Sequence, residues 1–390
     1  MRGSNRPNPA RRSVARLGRG VLCLLMYTLM GVVVLSGCDR GGASGLALVE
    51  PGDAVGGPGS GPGRFGKPRA IDSLGSRLVV IDRTGRVQVL DSQSGHCLAW
   101  FRLPDIRSGF PTGVTIAPSP ENDGNPAIWI PDTHMGRVTV YAMPEERAGQ
   151  VMLLAAQPRV LAQFGSYGNG PGEFIYPSSV CVLTKADGKS VERVYVSEFG
   201  GNDRVSIFAP SAGEKPGFTF VSSFGSEGPP AEGQVTFQRP QTVRLLPGRG
   251  EVASGLLVVD SINHRLGVFT LEGELVRWVG GPGQFSHPRG VSVLGDGSVL
   301  VVEFGNNRVQ HVDISTGQTL GLWGRAGSGR GELAEPWAIA LVGAEGFIVD
   351  ALNHRLVRMR LPRPAAGAPG THPRPGYGPI PSAQGVTRGT

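Results

Sequence analysis

Short apolar runs rich in β-branched side chains recur along this chain, and each ends on an acid. They read Leu78-Val-Val-Ile-Asp82, Ile128-Trp-Ile-Pro-Asp132, Val194-Tyr-Val-Ser-Glu198, Leu256-Leu-Val-Val-Asp260, Val299-Leu-Val-Val-Glu303 and Phe347-Ile-Val-Asp350. A tight loop follows each acid, and an Arg then opens another β-rich run: Arg86, Arg137, Arg204, Arg265, Arg308 and Arg355. The acid precedes its Arg by five positions in four copies, by six at Glu198 and by four at Asp82. Upstream of each run stands a Gly-rich turn with an aromatic residue or Leu and a Pro, as in Phe237-Gln-Arg-Pro240, Phe285-Ser-His-Pro288 and Leu333-Ala-Glu-Pro336. Short β-rich runs bounded by Gly, Pro and Asn read as strands, and their recurrence marks a repeat architecture.

Each copy holds about four such runs, which is what a four-stranded propeller blade requires. One blade cannot bury both faces of its sheet, so neighbours must stack and the ring must close. The sixth copy stops one strand short, because Pro362-Arg363-Pro364 cannot continue a sheet interior. Leu46-Ala-Leu-Val-Glu50 is expected to supply the missing outer strand, paired with residues near 355–360. The pattern predicts an all-β, six-bladed propeller over 46–361, closed by an N-terminal strand. The Asn-His-Arg-Leu tracts at 263–266 and 353–356, together with the Gly-rich-Phe-x-x-Pro openings, resemble the NHL-repeat family of six-bladed β-propellers. That resemblance implies that the acid-to-Arg loops and the interblade linkers share one face, with the strand-one-to-two loops on the other.

From the Pro to the acid, copies one, five and six span 14, 15 and 14 residues, whereas copies two, three and four span 21, 21 and 20. The added length falls near 117–126, 184–192 and 247–254, and copies two and three carry further length near 143–150 and 209–218. Three adjacent blades therefore extend one face into a ridge, and loops carry function more often than scaffolds do.

The ends of the chain change the picture. Six Arg and no acid in residues 1–37 flank an apolar run, Val21 to Leu35, too short for a comfortable membrane span. The run closes with Leu35-Ser36-Gly37-Cys38, which resembles the lipobox of bacterial lipoproteins. The resemblance implies a signal peptide over 1–37, lipidation of Cys38 and a lipidated tether over 38–45. It places the protein in the cell envelope, outside the cytoplasm, with the membrane as a partner through the acyl chains. Beyond Leu361 the Pro- and Gly-rich tail, 362–390, lacks periodicity and reads as disordered.

The formal net charge of +7 is concentrated in these ends. Removing the six leader Arg leaves +1, and Arg363, Arg374 and Arg388 sit in the tail, so the body carries about −2. Such a body lacks the basic excess that displaces counterions from phosphate, so no nucleic-acid partner is predicted. Cys97 and Cys181 fall in β segments and read as small buried hydrophobes.

The acid–Arg pairs bracket a loop in every copy, where a charge-assisted bond can fix the turn. Their alternative is a polar ring for a ligand. His134, Phe199, Asn202, Asn263, His264, Phe304, Asn307, His354, Trp337 and Arg289 are the candidate binding face, with Arg69, Tyr176 and His287 near the linker turns. Arg and aromatic groups on a concave rim are common binding anchors. There is no paired-Cys metal spacing, haem motif, nucleophile elbow or phosphate cradle, so no catalytic residue, metal or cofactor is assigned. The sequence reads as a binding or scaffold module for a protein, peptide or glycan. The alternative is a metal-dependent propeller enzyme, lactonase-like or amidating-lyase-like, whose ligands come from separate blades and leave no local motif.

Overall fold

The structure, a computed structural model, describes residues 51–104, 110–144, 152–153, 158–213, 215–246 and 255–361. The predicted leader, Cys38 and its tether, the segment 46–50, the tail 362–390, the loop 247–254 and most of 143–150 lie outside the described residues.

The chain folds as a six-bladed β-propeller. Blade one comprises Pro68–Leu74, Arg77–Asp82, Arg86–Asp91 and Cys97–Arg102, and blade two Thr115–Pro118, Pro126–Asp132, Arg137–Ala142 and Val160–Phe164. Blade three is Tyr176–Thr184, Val191–Phe199, Arg204–Pro210 and Phe218–Phe224. Blades four and five run from Pro240–Leu246 to Leu275–Val279 and from Pro288–Val293 to Thr319–Trp323. Blade six takes Pro336–Val342, Glu345–Asp350 and Arg355–Arg360, and its outer strand is Pro51–Gly56 from the other end of the chain. Innermost strands of successive blades are neighbours all the way round.

Val55 pairs with Leu356 and Gly56 with Arg355, so among the described residues the ring is closed by the N-terminal strand 51–56, on the expected partner strand. The register is set by the turn. In blade four the outer strand Leu275–Val279 runs directly into Gly280, and the equivalent turn Gly56 leaves 51–55 as the residues immediately before it. An outer strand buries one face only, so few apolar residues suffice. One feature went unforeseen: Met152–Leu153, from the long third-to-fourth connection of blade two, pairs in parallel with Ala99 and Trp100 on blade one. That connection covers part of an otherwise open sheet edge.

The apolar runs explain the packing. Successive side chains of a strand point to opposite faces, and the second strand of each blade is buried on both. In Leu256-Leu-Val-Val259, Leu256 and Val258 enter the core shared with blade three, while Leu257 and Val259 enter the core shared with blade five. Among the described residues there are six such clusters, one at each interface between neighbouring blades. The linker aromatics Phe65, Phe174, Phe237 and Phe285, and Leu333 in their place, are all but fully buried in these cores. The preceding Gly is required. At Gly280 φ is 75°, and a Cβ would lie 2.2 Å from the Phe285 ring.

Candidate functional site

Three tiers of side chains build the linker face. The first is the acid–Arg turn. The partners sit opposite each other in the ladder as Asp132 and Arg137, Glu198 and Arg204, Asp260 and Arg265, Glu303 and Arg308, and Asp350 and Arg355. Arg86 Nη2 lies 2.7 Å from Asp82, and the Nε of Arg204, Arg265 and Arg355 lies 2.7, 2.9 and 2.7 Å from its acid. Arg308 Nε donates to Glu303 in the same way. The remaining guanidinium donors reach linker carbonyls, Gly170 and Glu173 from Arg204 and Thr236 from Arg265. Asp82, Glu198, Asp260, Glu303 and Asp350 also accept the N–H two residues before the linker Pro, from Gly66, Ile175, Gln238, Ser286 and Ala334. Asn202, Asn263, Asn306 and Asn353 donate to the same carboxylates. Burial nevertheless pushes the carboxyls of Glu198 and Asp260 up, Asp260 to about 6, because desolvation outweighs these bonds.

The second tier joins each blade to the next. Asp203 accepts from Arg239 N–H, His264 Nδ1 from His287, Asn307 from Glu335, and His354 Nδ1 from Lys67, closing the ring from blade six to blade one. The four donors immediately precede a linker Pro and carry positive φ, 57° at Lys67, 62° at Arg239, 45° at His287 and 51° at Glu335. Non-Gly residues rarely adopt this geometry, so a fixed partner for each N–H holds a strained turn. His264, Asn307 and His354 are themselves left-handed. Burial lowers the pKa of His264, and its Nδ1 is occupied as an acceptor.

The third tier surrounds the mouth of the central channel. One residue past each linker Pro stand Arg69, Thr112, Ser178, Gln241, Arg289 and Trp337. In five blades the register slips at this point, between Pro68 and Ala70, Pro177 and Ser179, Pro240 and Thr242, Pro288 and Val291, and Pro336 and Ile339. Such bulges re-aim a side chain. Arg69 lies over the Trp337 ring at 4.3 Å, and Arg289 lies over both Trp337 at 3.8 Å and Phe304 at 4.1 Å. Arg239 stacks on Phe199 at 4.5 Å, and Tyr176 meets both Phe199 and His134 edge-on or tilted at 5.6 Å. Of the predicted binding face, His134, Phe199, Phe304, Trp337 and Arg289 thus gather at the mouth. Asn202, Asn263, His264, Asn307 and His354 direct their side chains into the turns.

Below the mouth the channel narrows. Its next layer is Ala70, Gly113, Ser179, Thr242, Gly290 and Ala338, and a Cβ on Gly113 or Gly290 would lie 2.2 Å from Ser178 O or 2.6 Å from Ala338 Cα. The cavity that remains measures about 20 Å³, room for about one water. Among the described residues no three His, Cys, Asp or Glu side chains form a cluster that would hold a metal ion. On the opposite face, Asn122 accepts from Val191 N–H between the loops of blades two and three, Arg193 meets Glu272 between blades three and four, and Arg159 grips Glu121 with both terminal nitrogens.

A propeller of six blades, five of them clamped by an acid–Arg ion pair, is what the geometry defines. Residues 285–312 match the model of the NHL repeat, the stretch that runs from the blade-five linker Phe to the end of its third strand. No curated protein matches the sequence. Among solved structures, the chain is similar to a structural genomics protein of unknown function from Bacteroides thetaiotaomicron VPI-5482, with a TM-score of 0.55 and 15% identity over 80% of this chain and 76% of that one. It also aligns with a streptogramin B lyase (TM-score 0.49, 13% identity, 77% and 95% covered) and with the virginiamycin B lyase from Staphylococcus aureus (0.47, 12%, 76% and 95%). These likenesses concern the fold.

Proposed function

We propose that this chain is a membrane-tethered, extracytoplasmic binding module that offers the linker face of its propeller to a partner protein. The observation carrying this reading is the contrast between that mouth and the channel beneath it. Arg69, Arg239, Arg289, Trp337, Phe199 and Tyr176 gather where, among the described residues, the channel below narrows to a cavity of about 20 Å³, an arrangement suited to surface contact more than to enclosing a substrate. Arg, Trp and Tyr are the side chains that dominate interface energetics. A photo-cross-linking residue at exposed Ile262, on the linker face, is expected to capture a partner identifiable by mass spectrometry, while the same residue at Asp187 on the opposite face captures none. Capture from Asp187 alone would move the interface to the long loops of blades two to four. The tether rests on the lipobox: labelled palmitate is expected to enter the wild-type chain and to be lost in Cys38→Ala.

A further inference from the structure

The outer strands decide what the rim of the propeller can meet, and blade three differs from the rest. Its outer strand, Phe218–Phe224, runs for seven residues without a charge, Gly or Pro. Those of blades one, four and six carry Arg102, Arg277 and Asp53, and those of blades two and five are five residues long. Charge, shortness and Pro keep a sheet edge from pairing with another chain, and Phe218–Phe224 has none of them. The strand is held firmly from within. Phe218 and Phe220 enter the core shared with blade two and Phe224 the core shared with blade four. Thr219, Val221 and Ser223 are exposed, Val221 by 54%. Val221 is the bulged residue of this strand, but a bulge there does not cap the edge. In blade one the bulged residue is Leu98, and the next two positions, Ala99 and Trp100, accept Met152–Leu153 as a fifth strand. Ser222 and Ser223 stand at the same two positions of blade three, and among the described residues no strand lies beyond them.

We propose that blade three pairs edge to edge with blade three of a second copy of this chain, the two Phe218–Phe224 strands lying antiparallel about a two-fold axis. A two-fold contact sets one surface against itself, so a charged edge would meet its own charge. An edge without charge is self-complementary. Backbone hydrogen bonds across the contact join the two blades into one eight-stranded sheet. A single strand pair covers far less than the roughly 1,600 Å² of a standard interface. The dimer is therefore weak, with a dissociation constant on the order of 10 µM. The inference does not depend on the linker-face reading.

The test is sedimentation velocity on the full chain in detergent, at protein concentrations from about 1 to about 100 µM. The wild type is expected to pass from monomer to dimer across that range. Ser223→Lys sets like charges against each other at an exposed position, and it should weaken dimerisation at least about tenfold with the melting temperature of the monomer held. Should it lower the melt, Thr219→Lys, exposed near the other end of the strand, must weaken dimerisation as much. A photo-cross-linking residue at Val221 is expected to join two copies of the chain. The same residue at Val276, the bulged position of blade four, is expected to join none. A monomer at every concentration, assembly beyond the dimer, or a dimer unmoved by the Lys variants would each overturn the proposal. So would self-capture from Val276 as readily as from Val221, or capture of a different protein at Val221.

Discussion

At the scale of single residues, this fold turns on buried carboxylates that hold turns and linkers in place. Asp260 is fully buried and is met by Arg265, Asn263 and the Gln238 N–H. Breaking a buried pair from one side leaves an uncompensated charge and costs about 3–5 kcal/mol. Arg265→Met is therefore expected to lower stability by that amount, read as a shift of the urea midpoint at unchanged slope. Removing both partners would not restore it, because the Gln238 N–H and the Asn263 amide would remain without their acceptor. His264 gives a prediction of opposite character. Its folded pKa is depressed by burial, so the stability it contributes is complete above the unfolded value of 6.5 and is lost as pH falls through the folded one. Asn307 fills the same place in blade five with a group that does not titrate. His264→Asn should therefore melt like the wild type at pH 8 and lose less stability than the wild type between about pH 6.5 and 5. Asp260, with its carboxyl raised to about 6, acts with the reverse sign in the acid range, which is why the informative quantity is the difference between the two chains. Parallel melting curves at every pH would refute the role assigned to the imidazole.

At the scale of elements, a linker is a device for inserting one aromatic side chain into an interblade core. The Gly that ends the outer strand must take positive φ and must lack a Cβ, since the Phe ring covers it. Gly280→Ala is expected to cost about 2 kcal/mol or more through strain and overpacking. Gly281→Ala next to it should be nearly neutral, because no neighbour lies within 4 Å and its φ is not in the left-handed range. Thermal melts of the two variants side by side distinguish a general intolerance of the linker from this one contact. Much of this was legible in the sequence. The acid–Arg turns, the Gly-to-Phe spacing and the blade count lie within single copies, where recurrence exposes them. The interblade caps were not, because each joins residues of different copies: His264 and the His287 N–H are 23 positions apart, and His354 and Lys67 are 287 apart. Asp203, Asn307, His264 and His354 serve one purpose with three residue types, which erases the motif. The mouth residues were harder still to foresee as a set. Arg69, Thr112, Ser178, Gln241, Arg289 and Trp337 share no chemistry, and only the position after each linker Pro aligns them.

For the whole molecule, closure decides whether six marginal sheets become one stable body. Every interblade core needs both its neighbours, so an open ring would expose apolar faces at two ends. The seam between blades six and one is joined by the cluster around Phe65, Trp337 and Phe347, by Ser73 Oγ donating to Leu341 O at 2.7 Å, and by the His354–Lys67 cap. Arg358 reaches the carbonyls of Ser92 and Gln93 across it as well. Pro51–Gly56 adds the outer strand, pairing the edge of Arg355–Arg360 and linking the two ends of the chain through backbone hydrogen bonds. A propeller beginning at Pro51 retains that strand, and one beginning at Gly57 lacks it and leaves an unpaired edge, a template for association between chains. The first is expected to melt in a single transition like a chain beginning at Cys38. The second should melt lower and form aggregates that grow with protein concentration. Equal melting of the two would show that the seam's side-chain contacts suffice without the strand. Loss of stability already in the chain beginning at Pro51 would instead assign closure to residues before it.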